Sequence, residues 1–294
     1  MRVVSNRHQL LGLMLVMLAL GMALASILGP LVLGLMTYRT SPTTLNQLEG
    51  SDAAALFLVA PSTLVTALLA VRGHPAAPLL ASGVGVFALY TYAQVVIGQE
   101  YLRLPGNVEG FFPLLLAIFI VAEAVVVLAW RGVPAALPPP SLHVERAVAV
   151  ALLLVAVFLV VGQHLRPMII AWQNPAALTE YASSPTPFWV VKLMDLGIIV
   201  PAALTIGIGL WRHADWARRA AYVLLTGYTC LAVSVTAMAA LMTVRNDPDA
   251  SPTLATGFGL FALVFVVLSA LLYRPLFTKA RSRVTDRSTA EVAR

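Results

Sequence analysis

Long apolar runs separated by short polar or charged segments recur along the whole chain. Eight of them are candidate spans: roughly 9–36, 53–71, 78–98, 111–130, 147–163, 188–211, 220–244 and 256–273. Runs of about 18 or more apolar residues read as membrane-crossing helices. The fifth run is short but can extend through Gln163 and His164 towards Ile169. The pattern therefore predicts an all-α, polytopic transmembrane helical bundle of about eight spans. The first run follows a basic start, MRVVSNRH, and passes ALAS (23–26), which resembles a cleavage site. It continues to Met36, past the roughly 7–15 residues of a signal-peptide core, and reads as a retained anchor.

Composition strengthens this picture. The 294 residues are 60% hydrophobic and only 11% charged, with a mean hydropathy of +0.87. A soluble domain carries about 25% charged residues, so this chain has too few to cover a water-facing surface. Its net charge of +6 does not indicate nucleic acid, because the basic residues sit singly or in small groups between apolar runs rather than on one patch. They follow a topology rule instead. With the N-terminus inside, Arg2, Arg7, Arg72, Arg131, Arg146, Arg212, Arg218, Arg219 and the tail residues Arg274, Lys279, Arg281, Arg283, Arg287 and Arg294 are cytoplasmic. Only Arg39, Arg103, Arg166 and Arg245 face out, with Lys192 left within a span. This positive-inside bias predicts a bacterial inner-membrane protein with both termini cytoplasmic. The bilayer is the implied partner, and other membrane subunits are a further one. Cys230 is the only cysteine, so no intrachain disulfide or cysteine-based metal cluster exists.

RGVPAALPPPSLHVER (131–146) carries three consecutive prolines and divides the chain into a four-span half at 1–130 and another at 147–273. A run of prolines is a stiff, extended spacer. The basic tail, 274–294, has the composition of a disordered segment. Two loops on the outer side, 37–52 and 166–187, are long enough to fold over the bundle. LVAPSTLVTALLAVRG (58–73) aligns without a gap on IIVPAALTIGIGLWRH (198–213), pairing Pro61 with Pro201 and Arg72 with Arg212. Tyr90 then pairs with Tyr228 after a two-residue offset. Both halves would start in the same orientation, giving a parallel 4+4 repeat.

Candidate chemistry lies in the few polar groups inside spans, where a charge costs about 2.5–3.5 kcal/mol on insertion scales and marks function by default. Lys192 and Asp195 stand three residues apart in PFWVVKLMDLGIIVPAALTIGIGLW (187–211), close enough to pair on one helix face. Pro201 follows, and with Pro61 it supplies a hinge. The competing reading has Lys192 reaching to the surface. Tyr90 and Gln94 share a face one turn apart, with Tyr92 on another. Asp52 opens the second candidate span, where it can cap the helix or join a site. Glu123 is a lone carboxylate in the fourth run, read either as a proton relay or as a partner of Arg131. Thr226, Cys230 and Ser234, like Gly21, Ala25 and Gly29, form small-residue stripes typical of packing seams.

Other chemistries lack their motifs. The chain has no P-loop, no H-E-x-x-H and no G-x-S-x-G. No cofactor or metal is expected. The ordered set GSD (50–52), YTYA (90–93) and DLGIIVP (195–201) resembles a group of uncharacterised bacterial multi-span membrane proteins, over about residues 40 to 220. That resemblance adds emphasis to Asp52, Tyr90 and Asp195 but implies no activity. Three classes of function compete. The leading one is a small-solute or lipid transporter or permease with a polar recess in the outer leaflet, built from spans two, three and six. The second is a non-catalytic membrane subunit or sensor. An enzyme on lipid substrates is third, disfavoured by the missing constellations.

Overall fold

Among the described residues of the computed structural model, eight helices are long and apolar enough to cross a membrane. They are span 1 (Asn6–Leu28), span 2 (Pro42–Val71), span 3 (Ala77–Ile97), span 4 (Val108–Trp130), span 5 (Leu142–Gln173), span 6 (Pro185–Trp211), span 7 (Asp215–Val244) and span 8 (Pro252–Thr278). The structure describes the backbone of residues 2–134 and 136–292, and side chains from 6 to 134 and 136 to 278. Arg2, Lys279, Arg281, Arg283 and Arg287, all counted in the topology argument, have side chains outside the described set, and Arg294 lies outside it altogether. The end of the bundle holding Asn6 and Thr278 is called proximal here, and the opposite end distal.

Three boundaries differ from the hydropathy pattern. Span 1 stops at Leu28, not Met36, because Gly29 and Pro30 interrupt it and Pro30 has no N–H to continue the ladder. The chain then folds back: Leu33 N donates to Ile27 O at 3.0 Å and Met36 N to Leu28 O at 2.8 Å, closing the helix end. Gly34 takes the left-handed conformation this turn needs (φ 62°). Span 2 begins at Pro42, so most of the expected loop 37–52 is helix. Ser41 caps it, accepting from Thr44 N, and Pro42 occupies the first helical position, where its missing N–H costs nothing. The expected loop 166–187 is helical to Gln173 and contains a short helix, Thr179–Ser183. The last helix continues through the basic tail to Val292, where the composition predicts disorder. The segment contains no glycine, and an existing helix propagates more readily than a new one nucleates.

Spans 2, 5 and 6 each contain a π-helical segment: Ala55–Val59, Phe158–His164 and Asp195–Ile199. A proline follows each within three residues, at Pro61, Pro167 and Pro201. Proline removes a donor and crowds the carbonyl four residues back. The helix widens instead: Ala60 N donates to Ala55 O and Val200 N to Asp195 O, each five residues back. Spans 2, 6 and 7 share a further feature. Each is followed two positions on by a left-handed residue, Gly73 (φ 67°), His213 (φ 57°) and Asn246 (φ 52°).

Packing follows the same order in both halves. Span 1 packs on spans 2 and 4, and span 3 on span 4; span 5 packs on spans 6 and 8, and span 7 on span 8. Two apolar cores result, one centred on Leu15, Leu18, Met22 and Phe87, the other on Leu152, Tyr222, Leu225 and Phe265. Spans 3 and 7 cross between them. Gly83 meets the Thr226 side chain there, which places the small-residue stripe of span 7 at a seam, as its spacing predicts. The first part of span 2 also lies on span 7, and a Cβ at Gly50 would stand 2.5 Å from Met238 Cα.

Candidate functional site

Asp195, at the start of the π segment of span 6, is the centre of a buried polar cluster. Tyr90 of span 3 donates its hydroxyl hydrogen to Asp195 Oδ1. His164 Nε2, from span 5, lies 2.7 Å from Asp195 Oδ2. Gln94 Nε2 donates to the Tyr90 oxygen at 2.9 Å. The i, i+4 spacing of Tyr90 and Gln94 thus performs as predicted, extending the network along span 3. Close by, Tyr228 of span 7 donates to Ile199 O at 2.6 Å, satisfying a carbonyl within the widened segment. Three spans therefore converge on one turn of span 6.

Lys192 does not pair with Asp195. Its Nζ lies 3.3 Å from the centroid of the Phe188 ring and 3.9 Å from Glu180 Oε1 on the short helix Thr179–Ser183. The helix leaves α geometry at Asp195, which breaks the register that i, i+3 pairing requires, and Tyr90 and His164 already occupy the carboxylate. A cation over an aromatic face is a favourable alternative. Lys192 is nearly inaccessible, 4% exposed, yet it helps line an open groove of about 540 Å³ with Met168, Trp189, Leu193, Leu196 and Gly197. Trp172 stacks on Trp189 at 6.2 Å, and Tyr181 meets both Phe188 and Trp189 edge-on, giving the distal rim of the groove an aromatic wall.

Asp52 belongs to a different network, which corrects both expectations for it. It sits ten residues inside span 2, about 15 Å from the helix start, and Ser41 is the cap. Ser26 of span 1 donates to Asp52 Oδ1 at 3.3 Å and Tyr38 to Oδ2 at 2.9 Å. Burial, with the Asp52 carboxylate beside it, holds the Tyr38 phenol well above its ordinary range, so Tyr38 keeps the proton it donates. Asp52 is thus separate from the Asp195 cluster, and the polar site is built from spans 3, 5 and 6 rather than 2, 3 and 6.

Glu123 is exposed on the outer face of span 4. Among the described residues it has neither a hydrogen bond nor an ion pair, with Arg131 or otherwise. Pro61 and Pro201 are exposed on the bundle exterior at equivalent points after their π segments. Among the described residues no three histidine, cysteine or acidic side chains converge to hold a metal.

His164 was not singled out as a site residue. The sequence put it at the outer end of the fifth run with room to extend towards Ile169; the helix continues to Gln173, leaving His164 about 14 Å from its end. Glu145 was also passed over. It is buried near the proximal start of span 5, where Arg218 Nε donates to it and His213 lies 3.9 Å away.

Compared with protein-family models, curated proteins and solved structures, the chain matches none.

Proposed function

We propose that this integral membrane protein is a transporter or permease for a small solute or lipid bearing an acidic or carbonyl group, which it takes up in a recess beside Lys192 and Asp195. The observation that carries this reading is the meeting of His164, Tyr90 and Asp195 from three spans, next to an open groove that Lys192 lines. Ionisable groups inside spans are costly and mark substrate or proton paths. In this reading Lys192 leaves Glu180 for the ligand, while Asp195 and His164 exchange a proton and Gln94 holds the Tyr90 hydroxyl in place. Asp52, in its own network, serves the other half.

The positive-inside count supports an inner-membrane location with the termini cytoplasmic, which makes the groove an outer-leaflet feature. The resemblance in GSD, YTYA and DLGIIVP falls on Asp52, Tyr90 and Asp195, the residues of these two networks. The π segments followed by proline in spans 2 and 6 and the matched packing support an ancestral 4+4 duplication. A parallel repeat of this kind lets two halves rock about a central seam, here the crossing of spans 3 and 7.

Native mass spectrometry of protein extracted gently from its own membrane tests the reading. A bound lipid or small acid retained by the wild type and lost in Lys192→Met and Asp195→Asn is the expected result. A second polypeptide at fixed stoichiometry with no such ligand would replace transport with a subunit role.

A further inference from the structure

The face of span 4 that carries Glu123 has no use in the recess. Pro113, Leu116, Ile120, Glu123, Val127 and Trp130 are all exposed, while Ala122, Val125 and Ala129 on the opposite side are fully buried. The exposed positions are spaced three, four, three, four and three residues apart. That is the 3.5-residue period with which two helices stay in register along a left-handed seam. Glu123 lies seven residues from the end of span 4, about 10 Å inside it. A carboxyl group at that depth needs a hydrogen-bond partner, since hydrocarbon offers none.

From this face we infer that span 4 is a self-association surface, packing against span 4 of a second copy about a two-fold axis along the membrane normal, with Glu123 hydrogen-bonded to its symmetry mate. The stripe is its own complement. A two-fold axis along the normal sets each residue opposite itself at equal depth. A carboxyl group carrying its proton both donates and accepts, so two Glu123 side chains sharing a proton satisfy one another. The rest of the stripe is apolar and asks nothing more of its partner than a matching apolar face. One polar residue among apolar seam positions fixes register and oligomer state in helical pairs. The inference is independent of the recess and holds or fails without it.

Single-molecule photobleaching of the full chain in lipid nanodiscs or vesicles tests it, alongside disulfide cross-linking of Ile120→Cys and Val127→Cys variants. Two-step bleaching and cross-linked dimers at both positions are expected, with none for Leu263→Cys on the exposed face of span 8. Glu123→Leu should lower the dimer fraction at least tenfold, whereas Glu123→Gln, which still donates and accepts, should keep it. Among the described residues Glu123 has no hydrogen bond or ion pair within one copy, so both variants should fold, and a cooperative melt in each separates loss of the dimer from loss of the fold. A monomeric wild type, a dimer indifferent to Glu123→Leu, or cross-linking through span 8 would overturn the assignment. A different protein seated on span 4 at fixed stoichiometry would overturn it equally.

Discussion

His164 and Tyr90, 74 residues apart in the chain and on different spans, hold the two oxygens of one carboxylate, that of Asp195. Each closes one side of a group that would otherwise be buried without a partner. The arrangement ties span 5 to span 3 through span 6, and it makes the three side chains a single unit in energy.

Removing one member should therefore cost more than its own bond. Taking a partner from a buried hydrogen-bonded charge costs about 3–5 kcal/mol, far above the net worth of the pair. His164→Phe and Asp195→Asn should each lower the thermal midpoint in detergent, and the double variant should lose less than their sum. A coupling energy above about 1 kcal/mol in a double-mutant cycle is the expected reading. Strict additivity would show that the two groups act separately.

Tyr90→Phe deletes the donor to Asp195 and the acceptor of Gln94 together. An unpaired buried amide costs about 1–3 kcal/mol. Gln94→Leu introduced into Tyr90→Phe should restore part of the loss, measured by thermal melting. No restoration would mean that Gln94 finds another partner or water.

Glu180 and Lys192 should separate stability from function. Their contact is 3.9 Å long and the Glu180 side chain is half exposed, so Glu180→Gln should cost less than about 1 kcal/mol. Lys192→Met, placed among apolar and aromatic neighbours, should also fold, yet it should abolish ligand retention. A large stability loss in Lys192→Met would identify the lysine as a structural rather than a binding residue.

Gly50→Ala should be disruptive beyond its size. The new methyl would meet the Met238 backbone, which cannot turn aside as a side chain would, and overpacking of this kind costs about 1–3 kcal/mol. Gly110→Ala, with nothing within 4 Å, is the matched control. Equal melting temperatures for the two would show that spans 2 and 7 yield more easily than their contact implies.

The spans themselves were legible because lipid imposes a simple rule: about 20 apolar residues per crossing. Their ends were not, wherever polar residues form helix inside the bundle. PTTLNQLEGSD reads as a loop, yet Glu49, Ser51 and Asp52 are buried against other spans, where Ser51 Oγ meets Ser234 Oγ at 2.8 Å. The pairing of Tyr90 with Gln94 followed from helical spacing, because span 3 is regular there. Lys192 with Asp195 failed because span 6 is not, and Pro201, six residues on, was the available signal for a widened turn. His164 was not singled out, because although the fifth run could be extended past it towards Ile169, nothing in the spacing of span 5 marks a partner on span 6. Glu123 stood out as a lone carboxylate, but which way it faces depends on the packing of span 4 against its neighbours.

The interlocks at the distal end set an order of assembly. Asn46 donates to Asp247, a residue 201 positions later, and the buried Glu49 pairs with Arg245 in the same late turn. Conversely, Glu100 accepts from Thr186 N at the start of span 6. At a synthesis rate of about 5–20 residues per second, span 2 waits on the order of ten seconds or more before span 7 exists to receive it. Until then its acidic face has no place in lipid. A ribosome that stalls before the end of span 7 leaves Glu49 without its arginine and Asn46 without its aspartate.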